Sequence, residues 1–209
     1  YFFQSYDKNK LNDLKTLLDI GSFNSAVIFC NKKNDIDKVY RFLKKNNYKS
    51  VCLHGDMNQS SRTNSLEEFK NKSANILVAS DVAARGIDVK DLSHVFNYDV
   101  PNNPEDYVHR IGRTGRAGKK GKAYTIFNEK DEKNILLIEK LIKKKVKKLN
   151  IKDINFNNRN TNIKDLEKIN PDKIVSKQNN KSKFLPVENF LNFQESGKIP
   201  EFLKTKKSI

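Results

Sequence analysis

Two arginines in the middle of the chain stand in a glycine-rich run, HRIGRTGRAG, which begins at residue 109. Arg113 and Arg116 are three residues apart, so their guanidinium groups fall on the same side of a turn, and the glycines beside them allow a ligand to approach the backbone closely. A guanidinium is a planar fork of donors that matches phosphate oxygens. The spacing therefore predicts a site for a polyphosphate, with a salt-bridge network as the alternative.

A second polar run, SDVAARGID, begins at residue 80 and carries acids and a base. Ionised Asp88 is an acceptor, and a carboxylate after a glycine-containing loop is able to hold a ribose hydroxyl. Asp81 and Arg85 are four residues apart, which allows an ion pair along one short helix. A local contact of this kind is one interpretation of the pair, and a role in the site is the other.

A third polar run, HGDMNQSSR, begins at residue 54. Gln59 and Arg62 are three residues apart and therefore lie on one face of a helix that begins near Asn58. We expect Arg62 to contact a phosphate and Gln59 to orient the neighbouring loop. Gly55 has no side chain and lets the backbone approach the same strand.

The elements that must position these runs alternate along the chain. Four or five apolar residues in succession are typical of strands that are covered on both faces, and apolar residues at helical spacing stand between them. This alternation predicts an α/β fold with a doubly wound parallel sheet, whose ligands bind beyond the carboxyl ends of the strands. The predicted strands are at 26–30, 50–53, 76–79, 94–98 and 123–127.

Composition divides the chain into two parts. Its 209 residues carry 41 Lys and Arg against 25 Asp and Glu, a formal net charge of +16, and only 36% of them are hydrophobic. A typical globular domain has about 45–50% apolar residues, so a core is expected over part of the length. We expect one domain at 1–148 and a basic, Asn- and Lys-rich, largely irregular and mobile tail at 149–209. The positive charge favours polyanionic partners.

Other classes of protein are excluded by what the sequence lacks. No apolar run approaches the length of a membrane span, and no segment is typical of a signal peptide. Cys30 and Cys52 each stand in a short apolar run, which indicates free thiols in a reducing compartment. We therefore expect a cytoplasmic protein and no secreted disulfide scaffold.

Four motifs in order resemble those of a known family. They are VIFC, HGDMNQSSR, SDVAARGID and HRIGRTGRAG, and together they resemble the C-terminal RecA-like domain of a DEAD-box ATP-dependent RNA helicase over about residues 1–148. The strings VASDVAARG, VFNYDVP and DYVHRIGRTGRAG are similar to the bacterial RhlE-like branch of that family. The resemblance implies a RecA-like fold.

The resemblance also implies a role for each motif residue. Arg113 and Arg116 would be arginine fingers on the γ-phosphate of ATP, and Gly86 and Asp88 would help to hold the nucleotide. Arg110 would have a supporting or RNA-linked role. The residues implied to bind the backbone of single-stranded RNA are Gly55, Gln59, Arg62 and Ser80. Those implied to act at the interdomain surface or to couple the ATP and RNA sites are Asp81, Arg85, His109 and Arg110.

Two features of this family are missing from the chain. No string fits the P-loop pattern, and no DEAD motif occurs. ATP and Mg²⁺ are therefore expected to be held mainly by an N-terminal RecA-like domain, and no metal ligand is assigned here. The start at Tyr1 resembles the linker that enters the second domain, which predicts a fragment of a longer protein, inactive alone.

The predicted partners are RNA and that N-terminal domain, with no membrane, and the protein is expected to be a monomer. A non-catalytic RNA-binding module is the main alternative. A DNA-repair translocase of the same fold is a weaker one, because the wording of the motifs at 82–88 and 109–118 favours RNA.

Overall fold

A computed structural model describes residues 1–5, 10–21, 23–84, 92–115 and 120–150. Residues 151–209, which are most of the predicted tail, and four predicted site residues, Arg85, Gly86, Asp88 and Arg116, lie outside the described residues. The strands are β1 (Phe2–Gln4), β2 (Ala26–Phe29), β3 (Ser50–Leu53), β4 (Ile76–Ala79), β5 (His94–Asn97), β6 (Lys122–Phe127) and β7 (Lys148–Asn150). The helices are α1 (Lys10–Ile20), α2 (Lys33–Lys45), α3 (Gln59–Lys70), α4 (Asp81–Ala84), α5 (Pro104–Ile111) and α6 (Glu132–Leu141).

The seven strands form one sheet in the order β3-β4-β2-β5-β6-β1-β7, and every pairing is parallel. The five strands predicted from apolar runs are all present. In the middle of the sheet Phe29 pairs with both Ala79 and Asn97, so three neighbouring strands end at the same level. The predicted doubly wound parallel sheet is confirmed.

Alternate residues of the central strands enter two separate cores. Ile28 and its neighbours pack under α1 and α2 on one face, while Val27 and its neighbours pack under Phe69 of α3 on the other. A third cluster joins α5 and α6. Each fully buried aliphatic side chain of this kind contributes about 1.5–3 kcal/mol, so the continuous apolar runs stabilise both layers of helices.

Two short strands were not predicted. Phe2–Gln4 forms β1, which lies between β6 and β7, and the buried Phe2 ring makes an edge contact with Tyr107 at 5.7 Å between centroids. Strand β7 runs to Asn150, two residues past the predicted domain boundary at 148. The domain limits of 1–148 and 149–209 stay a prediction.

Local signals in the sequence are found at the helix starts. Helix α3 begins at Gln59, close to the predicted start near Asn58, and the Asn58 side chain caps it by accepting a hydrogen bond from the Ser61 backbone N–H at 2.8 Å. Asn103 caps α5 in the same way, through the backbone N–H of Glu105. A carboxamide or hydroxyl at this position satisfies a backbone donor that the helix leaves open.

The two cysteines are free thiols, as predicted. Cys30 is buried and Cys52 is half-buried, and burial raises the pKa of both. No helix in the described ranges combines the length and the apolar character that a membrane crossing requires.

Candidate functional site

The predicted polar runs meet at one edge of the sheet. Asn31, His54, Ser80 and Asp99 follow β2, β3, β4 and β5 by one or two residues. Because these strands are parallel and neighbouring strands lie about 4.8 Å apart, their carboxyl ends place these residues side by side. The edge of the sheet at which ligands were expected therefore carries a continuous polar surface.

Arg110 of α5 is the centre of a hydrogen-bonded network at this edge. Its side chain is 1% exposed. Nε and Nη2 donate to the two carboxylate oxygens of Asp81 at 2.7 Å each, which is the bidentate geometry of a strong arginine pair. Nη1 donates to the Asp99 carbonyl at 2.7 Å, and Nη2 also donates to Asn31 Oδ1 at 2.7 Å. All three guanidinium nitrogens thus have acceptors.

A second layer of contacts surrounds this centre. Asp99 Oδ1 accepts from Lys10 Nζ at 2.6 Å, and Asp99 Oδ2 accepts from the Asn31 backbone N–H at 3.0 Å. The Asn31 side-chain amide donates to the Val100 carbonyl at 2.8 Å. Burial raises the pKa of the adjacent Tyr98, and the Asp99 carboxylate adds to the effect. The network therefore contains two cations, Lys10 and Arg110, and two carboxylates, Asp81 and Asp99, whose charges balance.

The partner of Asp81 differs from the local one that the spacing allowed. Both carboxylate oxygens of Asp81 accept from Arg110, which is 29 positions along the chain, whereas Arg85 lies outside the described residues. Ser80 precedes Asp81, and its Oγ accepts from the Ala83 backbone N–H at 3.4 Å. The hydroxyl hydrogen of Ser80 remains able to donate to a ligand.

The segment that carries Arg113 is held by hydrogen bonds to Leu92. The Leu92 backbone N–H donates to the Arg113 carbonyl at 3.3 Å, and the Thr114 hydroxyl donates to the Leu92 carbonyl. Gly115 follows with a φ of 72°, a conformation that favours glycine. The Arg113 side chain is half-buried at this edge. Arg116, whose guanidinium was predicted to lie on the same side of the turn as that of Arg113, is outside the described residues.

Gly121, the residue directly before β6, allows this segment to pack closely. A Cβ atom on Gly121 would stand 2.1 Å from Thr114 Oγ1 and 2.5 Å from the Gly115 nitrogen, so no side chain fits there. The conformation beside Arg113 therefore depends on a residue that motif spacing does not identify.

Three of the four predicted RNA-binding residues lie in the segment that follows β3. Gln59 is exposed in the first turn of α3, and Arg62 follows it one turn later with Nη1 3.4 Å from the His54 carbonyl oxygen. A Cβ atom on Gly55 would meet no other atom of the described residues within 4 Å. The Gly55 backbone is thus open to a ligand, next to a helix start that carries a cation.

His109 and Arg110 are adjacent in the sequence but occupy different environments. His109 is exposed on α5, with Nδ1 3.9 Å from Asp106 Oδ1. Arg110 is enclosed by the network described above. His109 is thus exposed to solvent, whereas the Arg110 side chain is enclosed. In the described part of the chain, no three His, Cys, Asp or Glu side chains are grouped to hold a metal ion.

Motif spacing did not identify the residues that hold Arg110. Lys10, Asn31 and Asp99 contact it directly or through one another, and they lie at the start of α1 and in the loops after β2 and β5. One signal was available, because Asn31 and Asp99 are polar residues directly after buried strands. That both residues contact Arg110 depends on the order of the strands in the sheet.

Comparisons with known proteins agree with this architecture. The family described as "Helicase conserved C-terminal domain" matches residues 9–118, more than half of the chain. The DEAD-box ATP-dependent RNA helicase RhpA of Helicobacter pylori is 42% identical over 156 residues, which are 75% of this chain and 32% of that protein. The chain thus spans about a third of the length of this curated relative.

Two solved structures share the fold. A DEAD box protein from Methanococcus jannaschii is 43% identical, with a TM-score of 0.66 over 71% of this chain and 40% of that one. The C-terminal domain of the DEAD-box protein Dbp5 is 29% identical, with a TM-score of 0.70 over 80% of this chain and 96% of that one. The second match covers nearly the whole of a single domain.

Proposed function

Because the chain belongs to the helicase conserved C-terminal domain family, as the C-terminal RecA-like domain of a DEAD-box RNA helicase, we propose that it forms half of an ATP-dependent RNA helicase. The other half is an N-terminal RecA-like domain, which makes most of the contacts to ATP and Mg²⁺. The observation that carries the proposal is the bidentate Arg110–Asp81 pair. It joins the helix before the candidate arginine fingers to the segment assigned to RNA and nucleotide contacts.

In this proposal Arg113 and Arg116 act on ATP. Phosphoryl transfer builds up negative charge on the γ-phosphate oxygens, and a guanidinium placed there stabilises the transition state. Arginine fingers are worth about 10³–10⁵ in rate in related enzymes. The hydrogen bonds between Leu92 and the Arg113–Thr114 segment support this role, because they hold the backbone that carries the first finger. Gly86 and Asp88 contribute to nucleotide binding.

The same edge binds single-stranded RNA through its sugar-phosphate backbone. Arg62 supplies a cation, Gly55 and Gln59 supply an open backbone and an exposed amide, and Ser80 supplies a hydroxyl donor. Such contacts carry no base information, so sequence preference is slight. Binding one strand in this way separates a short duplex locally.

Coupling between the two ligands is assigned to Asp81, Arg85, His109 and Arg110. The enclosure of Arg110 favours a structural supporting role and not a direct contact with RNA, because a side chain that is 1% exposed does not reach a ligand. Exposed His109 is available to the N-terminal domain. Mg²⁺ is assigned to that domain.

The proposal is tested by joining this chain to the N-terminal ATP-binding domain of a DEAD-box protein. We expect phosphate release that is stimulated by poly(U), and we expect local unwinding of a short RNA duplex. The N-terminal domain alone is the control. Stimulated phosphate release that is no faster with this chain than without it would contradict the proposal.

A second candidate function is a non-catalytic RNA-binding module. The clustering of Gly55, Gln59 and Arg62 in one short segment favours it, because RNA binding there needs no nucleotide. Binding of this chain alone to single-stranded RNA at two salt concentrations separates the candidates. Tight RNA binding in the absence of ATP and of the N-terminal domain supports the module. Weak RNA binding that becomes tight when ATP and the N-terminal domain are added supports the helicase.

Three broader assignments belong to the same proposal. The protein acts in the cytoplasm, as a monomer, and in the RhlE-like branch of its family. Fractionation of cells, sedimentation of the purified protein and comparison of the full-length sequence test them in that order.

A further inference from the structure

We propose that Asn31, Asp99 and Lys10 are positioning residues that hold the Arg110 guanidinium, and through it the Asp81 carboxylate, in one fixed orientation. This inference deepens the proposed function and rests on it for its catalytic consequence. Its structural part concerns this chain alone. None of the three residues was identified by motif spacing, and none is assigned here to contact ATP or RNA.

A buried guanidinium requires acceptors for its N–H donors. A buried charge is tolerated when it is paired and its donors are satisfied. Asp81 accepts from one side of the fork, and Asn31 Oδ1 and the Asp99 carbonyl accept from the other. Acceptors in α4 and in the loops after β2 and β5 define the plane of the guanidinium, whereas Asp81 alone would leave the pair free to swing together.

Asn31 has only one amide orientation that satisfies its neighbours. Oδ1 faces the Arg110 donor, and Nδ2 faces the Val100 carbonyl at 2.8 Å. A flipped amide would put an NH₂ group against a guanidinium and an oxygen against a carbonyl, which is unfavourable on both sides. Asn31 is therefore a rigid acceptor for Arg110.

Lys10 supplies the cation that balances the charge of the Asp99 carboxylate. The Lys10–Asp99 pair is largely enclosed, with side chains 18% and 17% exposed, and Lys10 Nζ also lies 4.5 Å from the centre of the Tyr98 ring. Asp99 in turn accepts from the Asn31 backbone N–H. Without Lys10, the Asp99 carboxylate is left without its cation and competes with Asp81 for the guanidinium. Lys10 thus keeps the Arg110 fork directed to Asp81.

A matched pair of lysines on α1 separates this role from general stability. Lys15 forms an ion pair with Asp19 on the same helix, but that pair is exposed and lies outside the network, with side chains 38% and 47% exposed. Lys15→Met therefore removes a comparable charge and a comparable contact without touching Arg110. Lys10→Arg keeps the cation next to Asp99 and is the conservative rescue.

The test measures hydrogen exchange of the Arg110 Nε–H group by NMR in the full 209-residue chain. This hydrogen is bonded to Asp81 Oδ1, so its exchange reports opening of the pair. We expect Asn31→Ala and Lys10→Met to accelerate exchange about tenfold or more, the effect of losing a charge-assisted hydrogen bond. Lys10→Arg and Lys15→Met should stay within about twofold of the native rate.

Native exchange rates in both Asn31→Ala and Lys10→Met would overturn the inference, as would an equal acceleration in Lys15→Met. Thermal unfolding of each variant shows how much stability the substitution removes. If a faster Nε–H exchange merely follows lost stability, hydrogen exchange of all backbone amides of α5 accelerates equally. That result rejects the positioning role.

The catalytic consequence is measured after the chain is joined to an N-terminal ATP-binding domain. We expect Asn31→Ala to lower kcat for RNA-stimulated hydrolysis about tenfold with KM for ATP nearly unchanged, because the effect lies in the transition state. An unchanged kcat would overturn this part of the inference. If the native joined protein shows no stimulated hydrolysis, the proposed function fails, and the NMR result still decides the structural part.

Discussion

The guanidinium of Arg110 and the carboxylate of Asp81 form a bidentate ion pair with both contacts at 2.7 Å. Arg110 is 1% exposed and Asp81 is 22% exposed, so the pair is shielded from the solvent that weakens surface ion pairs. It connects α5 to α4 across the carboxyl edge of the sheet. Two predicted motifs are thus joined through buried charge, and several consequences of this arrangement are measurable.

Asp81→Asn should strongly destabilise the domain. The substitution leaves the Arg110 guanidinium buried without its anionic partner, and breaking a buried pair in this way costs about 3–5 kcal/mol. Glu132→Gln is the matched control, because it neutralises one partner of the half-exposed Glu132–Lys148 pair and should cost less than about 1 kcal/mol. Chemical denaturation gives both free energies of unfolding. An equally small loss of unfolding free energy in both variants would show that the Arg110–Asp81 pair stabilises the domain no more than an exposed ion pair does.

Gly121→Ala should disturb the segment that carries Arg113. The added Cβ would lie 2.1 Å from Thr114 Oγ1, so the strand or the segment must shift, and overpacking of this kind costs about 1–3 kcal/mol. Gly55→Ala is the control for folding, since its Cβ has open space among the described residues and should change stability by less than about 0.5 kcal/mol. Thermal unfolding distinguishes the two, and similar melting temperatures would contradict the close packing at Gly121.

Arg62→Gln should weaken binding of single-stranded RNA. Losing one phosphate contact lowers the slope of log affinity against log salt concentration by about 0.7 for a single strand. Lys70→Gln, on the last turn of the same helix, removes an equal charge at the opposite end and should leave affinity nearly unchanged. Filter binding at several salt concentrations measures the slope. The same loss in both variants would assign the effect to net charge and not to a contact at Arg62.

Stability should fall in acid because of His94. The pKa of this buried ring is lowered from 6.5 to about 4, first because burial disfavours the charged form and second because Lys122 repels it. Between these two values the unfolded chain binds a proton that the folded chain does not, so unfolding becomes easier as pH falls through that window.

The size of the His94 effect follows from the two pKa values. At about pH 5 it amounts to about 2 kcal/mol of lost stability relative to neutral pH. His94→Phe keeps an aromatic ring beside Phe96, which stacks on His94 at 6.0 Å between centroids, and removes the titration. Denaturation at neutral and acidic pH should show a smaller loss in the variant. An identical loss in both proteins would place the acid sensitivity in other groups.

Most of the fold was predictable because its central strands are short, apolar and covered on both faces. The pattern fails at β1 and β7, where Phe2–Gln4 and Lys148–Asn150 are three residues each. Such short segments become strands through their pairing with each other and with β6, and this tertiary contact is invisible in local periodicity.

The candidate site was predictable in part, for a related reason. The types and spacing of Asp81, Arg110 and Arg113 indicated that they matter, but not which of them touch. Asn31 reaches Arg110 because β2 lies between β4 and β5, and alternation of strands and helices along the chain does not determine that order. Close approaches such as the one at Gly121 depend on the same tertiary arrangement.

In the proposed function, Arg113 stabilises charge on ATP held by a second domain. The most direct test is single-turnover ATP hydrolysis, in the presence of RNA, by this chain joined to an N-terminal ATP-binding domain. Lysine keeps the charge but loses the planar fork, so Arg113→Lys should slow hydrolysis about 10³-fold, while Arg41→Lys on the exposed face of α2 should stay within about twofold of the native rate. Hydrolysis by Arg113→Lys at the native rate would contradict the account.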